Sequence, residues 1–165
     1  MKLAILYATR YGATRRAAEL LADACLKRGL EQTDVQTDDL TNLRTLPEAQ
    51  VVVIGAPIYA GSIPKGASRF LDAHVDELMH RRVGLYLSCL YEGERAEQQL
   101  ADNFPPRLVA HSFGRYYVGG RVEPGKLRWI DRMIMKRVAG VREDVDRLRP
   151  QEIERAAAEI MGVIE

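Results

Sequence analysis

The chain has 165 residues, 47% apolar and 28% charged, and a formal net charge of +1, values that suit one globular domain with a single full core. No stretch approaches the roughly 18 uninterrupted apolar residues of a membrane-spanning helix, so a helical span is excluded. Two cysteines exclude a disulfide framework, and His74, His80 and His111 lack metal-ligand spacing, so no metal site is expected.

Strand and helix signals alternate along the whole sequence. KLAILY at residues 2–7 reads as a buried strand, and Ala13–Arg28 as a helix with Ala17, Leu21, Ala24 and Cys25 on one side and Gly29 as its stop. Gln32–Asp38 is a more polar strand suited to an edge; Val51–Gly55 is apolar enough for the centre of a sheet. Pro64–Glu77 reads as a helix, Arg82–Ser88 as a strand, and Glu94–Asn103 as a short helix closed by Pro105-Pro106. Val109–Val118 is expected as the fifth strand, Lys126–Val138 as a helix and Pro150–Val163 as the last helix. Five strands with intervening helices define an α/β chain with a doubly wound parallel sheet, a single domain over 1–165. The N-terminus enters a strand directly from Met1, with no secretory apolar region or cleavage site, so a cytoplasmic location is expected. No nucleic-acid partner is expected.

The most informative stretch is Ile5–Leu21, ILYATRYGATRRAAELL, a strand, a Thr/Gly loop and a helix in succession. Such a βα turn gathers backbone N–H groups and hydroxyls around one small anion. Thr9, Gly12 and Thr14 are spaced to wrap a single phosphate, with Arg10, Tyr11 and Ala13 in the same loop. A dinucleotide fingerprint needs more glycines, and a triphosphate loop needs a lysine after glycine; neither is present. A tight loop without a lysine suits a phosphomonoester held by neutral donors, such as that of FMN, and an ordinary turn with an N-capping Thr uses the same residue types. Two further loops follow strands. After the third strand, Pro57, Ile58, Tyr59, Ala60 and Gly61 combine close backbone approach with an aromatic face. After the fourth, Ser88, Cys89, Leu90 and Tyr91 would line the other side of a flat ring, although Tyr91 also fits solvent exposure. Gly119-Gly120 serves either a substrate mouth or a turn.

The match around the first loop is longer than its phosphate-wrapping residues. Ile5, Leu6, Tyr7, Thr9, Gly12, Thr14, Ala18 and Leu21 stand where the flavodoxin signature has an apolar pair, an aromatic, a hydroxyl, a small residue, a Thr, an Ala and an aliphatic. The segment resembles a flavodoxin-type FMN phosphate loop. The resemblance implies a flavodoxin-like three-layer sandwich with strand order 2-1-3-4-5, FMN at the switch point between strands one and three, and the fifteen loop residues named above as cofactor contacts.

The late segment discriminates between carrier and enzyme. Arg128, Arg132 and Lys136 fall at i, i+4 and i+8 and form a basic stripe, opposite Leu127, Trp129, Ile130, Met133, Ile134 and Val138. The stripe reads either as the solvated face of a core helix or as a surface for anionic lipid or carboxylates. Arg128, Trp129, Asp131, Arg132, Met133 and Ile134 are similar to a stretch of the menaquinone-dependent protoporphyrinogen dehydrogenases, a membrane-associated branch of the flavodoxin-like family. The loop after the fourth strand is shorter here than in that branch. The branch resemblance implies oxidation of protoporphyrinogen IX to protoporphyrin IX in heme biosynthesis, with a membrane quinone as electron acceptor and no acid/base residue named. Arg121, Lys126, Arg128, Trp129 and Arg132 are then the substrate or membrane contacts, with peripheral contact at the inner face of the cell membrane through residues 126–138. A homo-oligomer is compatible with this reading. Two alternatives stand beside it: a small electron carrier, against which the near-neutral charge argues, and an FMN-dependent NAD(P)H quinone reductase.

Overall fold

The computed structural model describes residues 1–122, 128–129, 133 and 145–165. Its central sheet is parallel, with β1 (Leu3–Tyr7), β2 (Val35–Asp39), β3 (Val51–Pro57), β4 (Arg82–Ser88) and β5 (Gly114–Tyr117) in the order 2-1-3-4-5. The helices are α1 (Ala13–Lys27), α2 (Lys65–Leu78), α3 (Gly93–Asn103), α4 (Pro106–His111) and α5 (Pro150–Ile164). β1 and β3 are buried along their whole length because both faces are covered by helices. The alternation of side chains divides the core in two. Leu6, Ile54 and Leu85 belong to the cluster that includes Phe70 and Leu71 of α2 and Leu100 of α3, while Ile5, Val53 and Tyr86 belong to the one that includes Leu21 of α1 and Ile160 of α5.

Local chemistry accounts for the element ends. Gly29 terminates α1 at φ +104°, and the Gly29 and Leu30 N–H groups donate to the Leu26 and Cys25 carbonyls. Cys25 lies on the inner side of α1 as the periodicity predicts, and burial pushes its thiol up to about 11, so it packs as a small unreactive apolar group. Cys89 is also buried and its thiol is likewise raised by desolvation.

Two expectations need correction. The span Val109–Val118 is not one strand: α4 takes Pro106–His111, and β5 covers only Gly114–Tyr117. Pro106 presets the first helical φ and needs no N–H partner, and Leu108 turns fully into the core, which outweighs the β-branched Val109. The start of the second strand shifts as well, because Gln32–Asp34 forms a 3-10 turn and β2 runs Val35–Asp39. A short antiparallel pair, β6 (Arg121–Val122) with β7 (Val145–Asp146), was not expected. The helix expected at Lys126–Val138 lies mostly outside the described residues; Trp129 and Met133 are helical and Arg128 is not. Among the described residues, no helix is long and apolar enough to cross a membrane.

β5 is an edge strand, and side chains occupy its outer hydrogen-bonding groups. Glu152 accepts from the Tyr117 N–H at 3.4 Å, Arg155 donates to the Arg115 carbonyl at 3.1 Å, and Arg149 donates to the Tyr117 carbonyl at 3.5 Å. Capped in this way, the edge is a poor template for another chain.

Candidate functional site

The site forms where β1, β3 and β4 end. The Thr9 hydroxyl oxygen accepts from the Gly12 N–H at 2.9 Å and folds the loop back on itself. Gly12 then enters α1 from the left-handed region at φ +92°, a conformation that costs an L side chain about 1–2 kcal/mol. No side chain among the described residues caps α1, so Thr9 does not play the ordinary capping role its position allowed. The first-turn N–H groups of a helix lack intrahelical partners and carry partial positive charge. Beside them Thr14 is only 1% exposed, and its hydroxyl has no partner among the described residues. A buried hydroxyl left unbonded costs about 1–3 kcal/mol. The loop therefore offers an unused donor next to uncapped amides, which is what a small anion requires.

The loop after β3 is a tight hairpin. Tyr59 and Ser62 exchange both backbone hydrogen bonds, at 2.9 and 3.1 Å, and Ala60 and Gly61 both have positive φ, +49° and +80°. Positive φ at both central residues is the signature of a type I′ turn. Asn103, at the end of α3, holds this hairpin: its carbonyl oxygen accepts from the Ile63 N–H at 3.0 Å and its amide donates to the Gly61 carbonyl at 3.0 Å. Tyr59 meets Tyr11 edge to face, with ring centroids 5.6 Å apart at 86°. The Arg10 guanidinium lies 5.7 Å from the Tyr11 ring centroid and 5.8 Å from that of Tyr59.

Thr9, Arg10 and Tyr59 line one cavity of about 490 Å³ with Ser62, Ile63, Pro64 and Lys65. Gly12, Ala13 and Thr14 form its neighbouring βα turn, while Pro57, Ile58, Ala60 and Gly61 shape the hairpin behind Tyr59. The loop after β4 is joined to this hairpin by the Ile58 N–H, which donates to the Ser88 carbonyl at 3.1 Å. Its side chains point to other partners. Ser88 donates to the Gly119 carbonyl at 3.0 Å, Cys89 donates to the Tyr91 carbonyl at 3.5 Å, and Tyr91 lies under the Arg95 guanidinium at 3.7 Å. Leu90 packs against Gly120, where a Cβ would come 3.3 Å from its methyl.

Of the late residues, Arg128 is exposed and its backbone N–H donates to the Tyr11 hydroxyl at 3.4 Å, which brings this segment to the anion loop. Trp129 and Met133 are 69% and 47% exposed. Arg121 pairs through its backbone in β6; its side chain, Lys126 and Arg132 lie outside the described residues. Sequence reading missed Lys65 and Ser62 as cavity residues and Asn103 as the hairpin's anchor. Asn103 had no local signal, because its partner lies 42 residues away in the chain. Among the described residues, no group of His, Cys, Asp and Glu is arranged to hold a metal ion.

Fold and site together define a mononucleotide-binding protein of the doubly wound class, with an anion turn after the first strand and aromatic walls from the first and third. The model of the flavodoxin domain matches residues 4–148, and the chain belongs to that family. A flavodoxin of Clostridium saccharobutylicum is 24% identical over 88 residues, 53% of this chain and 55% of that protein, so the alignment spans about half of the relative. A short-chain flavodoxin associated with a non-canonical PDU bacterial microcompartment has the same fold over the whole of both chains, with a TM-score of 0.63 at 14% identity. Rubredoxin oxygen:oxidoreductase from Desulfovibrio gigas superposes with a TM-score of 0.55 at 19% identity, over 96% of this chain but only 37% of its own. FMN is the cofactor of flavodoxins, and the orphaned Thr14 hydroxyl beside uncapped α1 amides fits its phosphate.

Proposed function

We propose that this flavodoxin-domain protein is an FMN-dependent oxidoreductase that converts protoporphyrinogen IX to protoporphyrin IX and delivers the electrons to a membrane quinone. Thr9, Gly12 and Thr14 would hold the phosphate, with the α1 amides opposing its charge. Tyr59 and Tyr11 would wall the isoalloxazine, and Asn103 would keep the Tyr59 hairpin in place. Bound flavin supplies the two-electron redox chemistry; the chain binds, orients and tunes it. Arg10 and Lys65 place two cations at the cavity, an environment that favours an anionic substrate over a cationic one.

One observation favours the porphyrinogen reading over a carrier: the segment bearing Arg128, Trp129, Asp131 and Arg132 touches the anion loop through Arg128, and its Trp129 and Met133 are exposed. An apolar pair next to arginines is suited to a flat carboxylated guest or to an anionic lipid surface. The near-neutral net charge also lacks the acidic excess that steers small carriers to basic partners. The decisive assay loads the protein with FMN and adds protoporphyrinogen and a menaquinone analogue without oxygen. Porphyrin fluorescence should rise in proportion to enzyme. No rise, with electron delivery to a redox protein instead, supports the carrier. For the membrane contact, sedimentation with vesicles of anionic lipid should fall on Arg128→Ala plus Arg132→Ala; unchanged binding removes that surface from the proposal.

A further inference from the structure

A row of residues crosses the sheet just beneath the anion loop: Tyr7 on β1 pairs with Gly55 on β3, Gly55 with Tyr86 on β4, and Tyr86 with Tyr116 on β5. Register neighbours in a parallel sheet face the same side, and Tyr7, Tyr86 and Tyr116 all enter the α1/α5 core. Gly55 is the gap in this row. A Cβ there would come 1.8 Å from the Tyr86 ring, so the ring lies where the side chain of residue 55 would otherwise stand. The ring thereby reaches across β3 toward α1, and its hydroxyl donates to the Thr14 carbonyl at 3.1 Å.

Thr14 also carries the orphaned hydroxyl. Its carbonyl belongs to the peptide unit whose N–H is that of Arg15, in the uncapped first turn of α1. A helical carbonyl has a second lone pair for an added donor, and a bond there polarises the peptide and strengthens its N–H as a donor. Tyr86 is fully buried and burial drives its ionisation far upward, so it remains a neutral donor wherever the protein is folded.

The geometry points to Tyr86 as a positioning residue for the flavin phosphate: it fixes the Thr14–Arg15 peptide so that the Thr14 hydroxyl and the Arg15 amide converge on one bound dianion. The inference rests on the FMN reading above and adds a residue from β4, two strands away from β1, whose link to the anion runs through backbone. Gly55 is then required as the opening through which β4 reaches α1.

The test uses the full chain and two ligands that differ only in the phosphate. FMN and riboflavin are titrated into wild type, Tyr86→Phe, Thr14→Val and the double variant, with flavin fluorescence as the readout. Tyr86→Phe keeps the ring and should weaken FMN by about five- to tenfold, the effect of one lost hydrogen bond of about 1 kcal/mol, while riboflavin changes less than twofold. Because Tyr86 acts through Thr14, the double variant should lose less FMN affinity than the product of the single losses. Equal losses for both ligands, no loss, or a Tyr86→Phe chain too unstable to purify would each assign Tyr86 to packing alone and overturn the proposal. Wild type that binds neither ligand defeats the FMN reading itself, a result separate from any difference between variants.

Discussion

Two cavities among the described residues differ in character. The larger, about 840 Å³, lies along the β5 edge between α3 and α5 and is lined by Arg115, Arg149, Glu152 and Arg155 among others. The polar groups along its β5 side are engaged: Arg155 pairs with Glu152 at 2.8 Å, Glu152 takes the Tyr117 N–H, and Arg115 donates to the Ser112 hydroxyl and the Val109 carbonyl. The smaller cavity, about 490 Å³, adjoins a buried hydroxyl without a partner and a helix without a cap. Volume alone selects the wrong one. Unsatisfied donors, which destabilise the protein until something accepts from them, select the other.

The largest effect that sharpens this contrast is expected at Thr14. Thr14→Val preserves shape and removes the hydroxyl, and a hydrogen bond to a charged group contributes about 1.5–3 kcal/mol, so FMN affinity should fall roughly 10- to 100-fold. Thermal unfolding without ligand should show equal or higher stability, because an orphaned polar atom has been removed. A drop of several degrees would mean that the hydroxyl is satisfied in the free protein. Next comes the hairpin anchor. Asn103→Ala leaves the Ile63 N–H and Gly61 carbonyl without their partner and should lower stability by about 1–3 kcal/mol in denaturant titrations. It should weaken FMN and riboflavin alike, since in the proposed arrangement the hairpin would meet the ring and not the phosphate.

How far the sequence already displayed this arrangement varies by region. The first βα turn was legible because it is local: a buried strand, a Thr/Gly loop and an amphipathic helix follow one another within 21 residues, and the strand order was legible only through the flavodoxin resemblance that this stretch carries. Val109–Val118 misled because β-branched residues stand in a stretch whose first turn Pro106 had already set as helix. Asn103, Lys65 and Tyr86 were not legible as site residues. Each acts through a contact made only when distant loops meet, such as the Tyr86 hydroxyl with the Thr14 carbonyl 72 residues away.

A third effect falls at Gly12. Gly12→Ala must hold φ +92° with a Cβ, although nothing within 4 Å blocks that atom. Backbone strain of about 1–2 kcal/mol is expected in thermal or chemical unfolding, and FMN should weaken by up to about tenfold as the turn relaxes.

The smallest effect tests the other cavity. The Arg155 guanidinium bonded to Glu152 holds that carboxyl below the usual carboxylate range. A depressed folded-state value contributes stability above the unfolded value of about 4.3, and this is lost as pH falls through the folded value. The half-exposed pair should be worth at most about 1 kcal/mol. Glu152→Gln should therefore flatten the acid side of the stability curve below about pH 4.3 and leave FMN binding unchanged. A loss of FMN affinity in this variant would join the two cavities that the account keeps apart.

The most direct measurement is a side-by-side titration of the wild-type protein with FMN and with riboflavin. Uncapped α1 amides and a waiting Thr14 hydroxyl predict that FMN binds at least about tenfold more tightly, with the difference residing in the phosphate. Equal affinity for the two, or binding of neither, would contradict the assignment of this turn as a phosphate site.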